Sequence, residues 1–413
     1  MLKALKLGLT PLLSLFIVIL GNGLLTTLTT VSLHLNDVPL WLIGIVVGAY
    51  FAGLMVGSFR CEIFIGRVGH IRAYAVMASG LAVASLLQGI FDNVWFTILF
   101  RFVSGFCVAG VFIIIESWLL ARSKASIRGQ ILAVYMIALY GSQAIGQFIL
   151  GFVNPQTLLP FCLIAILASL SVIPLSFTYI RSPRITAHSA LSFIKLYKLS
   201  PAGVVGCVTS GLILGGIYGL MPLFVGDLHY SLTDISVVMG TIILGGMALQ
   251  YPVGRLSDFI GRRKVLIAVS ALLLLSALTI MLIADQFFYW FLFMGIFFGG
   301  FAFTLYPLSI SHSCDYLQSR QDIVGATQGL LLAYSIGATV GPMIAAGFLH
   351  VFNTMGLMIY FMVVSGGLIL FLLWRSTKRE APSIAQQQDY VVLPCTSPIA
   401  NELAPRSDDE AAR

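Results

Sequence analysis

Charge is what this sequence has least of. Asp, Glu, Lys and Arg make up 9% of its 413 residues, whereas soluble domains carry about 25%. With 59% of the chain hydrophobic, a water-soluble fold is excluded, because one soluble core cannot bury that much apolar surface. Also missing is any GxxxxGK[ST] run to cradle nucleotide phosphates, so direct ATP drive is not expected. Neither HExxH nor a catalytic triad can be assembled, so the chain does not read as an enzyme. The six cysteines, at 61, 107, 162, 207, 314 and 395, show no metal-ligand spacing, and none is positioned for an extracellular disulfide. No metal or other cofactor is expected.

What the sequence has instead is apolar runs. Hydropathy gives about twelve, near 8–33, 41–59, 73–91, 94–120, 129–152, 158–180, 202–225, 233–253, 265–284, 287–311, 323–349 and 354–374. Each is long enough to cross a hydrocarbon layer of about 30 Å as a helix. The start, MLKALKLGLTPLLSLFIVIL, has the two lysines and apolar stretch of a signal peptide. It lacks a small-x-small cleavage site, and it reads as the first span.

The net charge of +7 raises nucleic acid as a partner, but its distribution points to a membrane. Of the 23 Lys and Arg residues, all but Arg101 fall in one set of alternate loops and the two tails. The opposite loops carry no basic residue and hold Asp37, Asp92, Asp227 and Asp285. By the positive-inside rule, both termini and the basic loops are expected in the cytoplasm of a bacterium, with the multi-pass chain in the inner membrane.

Two halves follow from weak internal repetition. Gly48, Gly53, Met55 and Gly69 recur 192 positions later as Gly240, Gly245, Met247 and Gly261. Gly129, Gly141 and Gly151 recur 196 positions later as Gly325, Gly337 and Gly347. The expected organisation is a bundle over 1–180, a cytoplasmic linker over 181–200, a second bundle over 201–374 and a tail over 375–413. The linker is polar and basic, in part an amphipathic helix; the Pro/Ser/Gln-rich tail reads as disordered. Six spans plus six suit a rocking-bundle transporter with its site at the midplane between halves.

After the eighth span comes GRLSDFIGRRK, residues 254–264. Gly254 permits close helix packing, Gly261 a tight turn, and Arg262 lies one helical turn from Asp258. This run resembles the loop motif of the major facilitator superfamily. The resemblance implies an all-α membrane protein of twelve transmembrane helices in two pseudo-symmetric six-helix bundles, in which Asp258 caps the eleventh span. The equivalent first-half loop, EIFIGRVGHIR (62–72), has Gly66 at the aspartate position, which removes that latch. RFVSG (101–105) resembles the family's fourth-span motif, and GATVGP (337–342) resembles its glycine-rich kink, here in the eleventh span. The fifth-span counterpart, GSQAIGQ (141–147), lacks the proline found in exporters. ESWL (116–119) together with YPLSISH (306–312) is similar to the bacterial YcaD-like group, covering nearly all of 1–374.

Several residues are candidates for coupling. A charge at mid-membrane costs about 2.5–3.5 kcal/mol on insertion scales, so Glu116 needs a partner or a task. It can be a salt-bridge latch to the nearby Arg67 and Arg72 or to Arg122, Lys124 and Arg128, a proton carrier, or an ordinary interfacial residue. His312 stands at the equivalent depth in the second half and can carry protons near neutrality or simply hydrogen-bond. Arg101 lies about 15 residues from Glu116, roughly 22 Å along the helix. The resemblance implies a role for it in substrate or proton coupling; snorkelling to the outer surface is the alternative. Asn22, Thr26, Tyr140, Gln143, Gln147, Tyr218, Tyr306 and Gln328 are candidates to line a cavity with few charges, suited to a neutral or weakly ionic organic solute. The expected function is secondary active transport of such a small molecule by alternating access, possible proton coupling included, by a monomer in the lipid bilayer with no nucleic acid. The rivals are a multidrug/proton antiporter and a transport-inactive sensor or scaffold.

Overall fold

Inside a bilayer no water satisfies backbone N–H and C=O groups, so apolar runs of this length fold as helices. The computed structural model describes residues 2–122, 128–177, 193–316 and 320–378, together with Gln387, Tyr390 and Thr396. Side chains are described within these stretches except at 2–7, 120–122, 128–129, 193–195 and 320–325. The helices are α1 (Leu2–Leu35), α2 (Leu40–Val68), α3 (His70–Ile90), α4 (Val94–Arg122), α5 (Arg128–Ile149), α6 (Leu159–Leu170) and its continuation α7 (Val172–Ser176). They are followed by α8 (Phe193–Leu199), α9 (Pro201–Asp227), α10 (Leu232–Ile260), α11 (Arg262–Ile283), α12 (Phe288–Cys314), α13 (Arg320–Phe352) and α14 (Gly356–Ser376). Among the described residues, eleven stretches are long and apolar enough to cross a membrane, and the last, Ala326–Ser376, takes in most of α13 and all of α14. Short α8 follows most of the expected linker, whose residues 181–192 lie outside the described residues.

The two halves are built alike. In the first, α2 packs on α4, α1 on α5 and α6, and α3 on α4 and α6. In the second, α10 packs on α12, α9 on α13 and α14, and α11 on α12 and α14. The repeat seen in the sequence reappears as equivalent geometry. Gly69 and Gly261 both end a helix at positive φ, +83° and +98°, where a side chain would be strained. Gly53 in α2 leaves no room for a methyl against the Phe102 carbonyl of α4, nor does Gly105 in α4 against the Tyr50 carbonyl of α2. Gly245 against Ile296 and Gly299 against Ile242 do the same between α10 and α12. Small residues that let backbones touch are how membrane helices gain packing without a hydrophobic driving force.

Between halves, α2 meets α13, α5 meets α10 and α1 meets α9. These seams are tight at the end remote from the basic loops. A methyl on Gly44 or Gly48 would meet the Pro342 or Thr339 carbonyl at 2.8 and 2.5 Å, and one on Gly240 would meet the Phe148 ring at 2.6 Å. At the same end His34 Nε2 lies 3.4 Å from Asp227 Oδ1, joining α1 to α9. Exposed Trp41, Trp95, Tyr289 and Trp290 cluster there too, as aromatic side chains do at a membrane interface.

Candidate functional site

Polar residues that would be costly in lipid gather where the halves meet. Asn22 and Thr26 of α1, Tyr50 of α2, Tyr140 and Gln143 of α5 and Tyr218 of α9 line one cavity, with Phe51, Phe303 and Tyr334 as aromatic walls. Both halves thus contribute to one site. Tyr218 donates to Gln143 Oε1 across the interface at 3.2 Å, and Tyr218 and Tyr140 each meet the Phe303 ring edge-on. The free room is about 70 Å³, enough for roughly two waters at about 30 Å³ each and far below the roughly 300–1,000 Å³ of an open ligand pocket.

Arg101 stands behind this wall. It is 1% exposed, and its guanidinium carbon lies 4.4 Å from the centroid of Tyr50, a cation–π contact. Snorkelling is therefore not what this side chain does. Nε and Nη1 of Arg101 have no hydrogen-bond partner among the described residues. Tyr50 in turn accepts from Asn22 Nδ2 at 2.9 Å through its hydroxyl, so the cation, the ring and the amide form one chain leading into the cavity.

Glu116 lies on the same helix nearer the basic end and is fully buried. Tyr135 of α5 donates its hydroxyl to Glu116 Oε1 at 2.5 Å, and the Thr396 hydroxyl donates to the same oxygen. Beside it, Ser117 meets His70 Nε2 at 3.0 Å, and the His70 and Trp118 rings pack 5.9 Å apart. Arg67 and Arg72 are exposed and enter no ion pair among the described residues. The side chains of Arg122 and Arg128, and Lys124 as a whole, lie outside the described residues.

In the second half, Arg262 makes its closest ion pair with Asp315 rather than Asp258. Its Nη1 lies 2.7 Å from Asp315 Oδ1, with both side chains fully buried, and donates to the Ser311 carbonyl at 2.5 Å. Asp258 Oδ1 is 3.5 Å from Nη2 and 24% exposed. His312 is buried one turn before Asp315's neighbour Tyr316 and meets that ring edge-on at 5.4 Å.

Five of the eight candidate lining residues reach the cavity wall, and three face elsewhere. Gln147 donates to the Gly23 carbonyl at 2.9 Å and accepts from Thr27 at 2.6 Å, pinning α5 to α1. Tyr306 packs on Tyr334, and Gln328 is buried away from the wall. Sequence reasoning missed Tyr50, Phe303, Tyr334, His70 and Tyr135. Only the charge on Arg101 hinted that an aromatic ring would be needed nearby.

The family model described as Major Facilitator Superfamily matches residues 12–330 and 203–406. The MFS-type transporter YcaD of Escherichia fergusonii is 31% identical over 379 residues, covering 90% of this chain and 96% of that protein. YcaD of Salmonella enteritidis PT4 is 30% identical over 373 residues, covering 89% and 95%. Among solved structures, a mutant of the nucleoside transporter NupG superposes with a TM-score of 0.72 at 13% identity over 89% of this chain and 98% of its own. An inward-facing, unoccupied bacterial homologue of the human lysosomal transporter Spinster gives 0.74 at 11% identity over 92% and 99%. These likenesses speak to the fold.

Proposed function

This chain belongs to the Major Facilitator Superfamily, and from that premise we propose that it is a secondary active transporter of a small organic solute working by alternating access. The observation that carries the reading is the cavity walled by Asn22, Tyr50, Tyr140 and Gln143 from one half and Tyr218, Phe303 and Tyr334 from the other. A site shared between halves changes when one half rocks against the other, which couples binding to a change of access.

The tight seam at Gly44, Gly48 and Gly240 and the His34–Asp227 pair form the closed gate. The basic end, which by its Lys and Arg content faces the cytoplasm, is the side on which the halves part. The lining offers hydroxyls, amides and aromatic faces, while Arg101 behind Tyr50 makes the site unfavourable to cations. A neutral or anionic solute with hydrogen-bonding groups fits better than a lipophilic cation, which sets the multidrug reading aside. Glu116, buried and hydrogen-bonded by Tyr135, is the group to carry a proton with the solute.

The test has two stages. Purified protein in mild detergent is screened by thermal unfolding against pooled metabolites; a ligand at one hundred times its dissociation constant stabilises the folded state by about 2.7 kcal/mol. The solute found is then followed into proteoliposomes under a pH gradient. Glu116→Gln should retain the thermal shift and lose pH-driven accumulation. Undiminished accumulation by that variant defeats the proton role, and transport of lipophilic cations alone defeats the solute class.

A further inference from the structure

The chain leaves α14 at Ser376, on the basic end, and three residues beyond it rest against the bundle. Tyr390 donates its backbone N–H to Asp258 Oδ2 at 3.0 Å. Its ring covers Gly254 so closely that no Cβ would fit there, so the glycine of the loop motif is the floor of a tyrosine seat. Six positions on, Thr396 is 6% exposed and forms part of the cavity wall. Its hydroxyl donates to Glu116 Oε1 and lies 3.2 Å from the Tyr135 hydroxyl. The tail therefore touches the second half through Gly254 and Asp258 and the first through Glu116 and Tyr135. It bridges them at the end remote from the gate.

We propose that the C-terminal tail is a built-in occupant of the transport site, an autoinhibitory segment in which Thr396 holds the Glu116–Tyr135 pair and Tyr390 anchors it to α10. The proposal deepens the transporter reading above and rests on it. A buried carboxylate must find hydrogen-bond donors, and here the tail supplies an alcohol in the place where a proton or a solute hydroxyl would otherwise act. The room left beside Thr396, about 70 Å³, is too small for an organic solute, so entry from this end requires the tail to leave. Weak contacts suffice to seat it. A covalently tethered segment acts at an effective concentration on the order of millimolar, and the residues between Lys378 and Tyr390 can span about 40 Å.

Cys395, next to Thr396 in the sequence, gives the assay. Cys61, Cys107, Cys207 and Cys314 are buried, so Cys162→Ser leaves Cys395 as the reporter. Full-length protein in mild detergent is treated with a maleimide bearing a polyethylene glycol chain and followed by gel shift. Labelling tracks the fraction of chains with the tail released. Cys395 should react at least about tenfold more slowly than in the SDS-unfolded chain, given hydrogen bonds to a buried charge. Thr396→Val, which keeps shape and removes the hydroxyl, and Tyr390→Ala should each recover most of the unfolded rate while leaving the thermal midpoint in place. Labelling as fast in the native protein as in SDS overturns the proposal, as does protection that survives both variants. Those results leave the transporter reading standing. Protection lost in both variants, in a protein whose Tyr390→Ala form moves no solute in liposomes, places the failure in the transporter reading instead.

Discussion

The buried pair of Arg262 and Asp315 sets a stability prediction that the loop motif alone would assign to a different residue. Arg262 opens α11, Asp315 follows α12, and Asp258 closes α10, so one guanidinium ties three helix ends together. Asp315→Ala leaves the Arg262 charge buried with the Ser311 carbonyl and a carboxylate at 3.5 Å. Breaking a buried ion pair from one side costs about 3–5 kcal/mol. Asp258 offsets part of that, so a loss of about 2–4 kcal/mol is expected on the same grounds. Asp258→Ala removes a longer, partly exposed contact and should cost about 0–1 kcal/mol. Replacing the pair with apolar groups, Arg262→Met with Asp315→Leu, should return stability to within about 1 kcal/mol of the wild type, because both desolvation penalties vanish together. The assay is unfolding in mixed SDS and mild-detergent micelles, read by tryptophan fluorescence, comparing the wild type with these three variants. Equal losses for Asp258→Ala and Asp315→Ala, or a double variant as unstable as Asp315→Ala alone, would refute the reasoning.

Two further outcomes are expected from the packing. Gly245→Ala forces a methyl against the Ile296 backbone and should destabilise by about 1–3 kcal/mol or more; Gly141→Ala, with nothing within 4 Å, should be neutral or gain up to about 1 kcal/mol. Thermal midpoints of the two side by side decide it, and similar values would count against close backbone contact as the reason for Gly245. His34→Ala removes the pair with Asp227, a partly exposed contact worth about 0–1 kcal/mol. A cysteine placed at Asn36 should then be labelled about two- to fivefold faster by an impermeant thiol reagent, and an unchanged rate removes His34 from the gate.

Helix existence and the two-half plan were legible because lipid makes hydropathy a direct physical signal. Helix ends were not. The runs read as ending at 59 and 253 continue to Val68 and Ile260, since hydropathy reports membrane thickness while a helix continues into water wherever its backbone allows. Asn22, Thr26, Tyr140, Gln143 and Tyr218 were legible as cavity residues because a polar group in an apolar span needs a reason. Gln147 was not separable from Gln143, although it lies one turn away on the same helix, because its partners Gly23 and Thr27 come from another element. Tyr50, Phe303 and Tyr334 looked like any membrane aromatic, for burial against lipid and burial against a cavity leave the same mark in a sequence. Thr396 had no mark at all: its surroundings come from α4 and α5, and its neighbours in the chain say nothing of them.

The reciprocal glycine contacts carry a last consequence. With Gly53 lying on the Phe102 carbonyl and Gly105 on that of Tyr50, α2 and α4 meet main chain to main chain at these two points, where no side chain intervenes that could re-rotamerise and let one helix slide. Tyr50 and Arg101 sit on these two helices, and Glu116 shares one of them. They are therefore ruled off on a single stiff gauge, and when the halves exchange positions the spacing among these three stays fixed while only their distance to the opposite half is retuned.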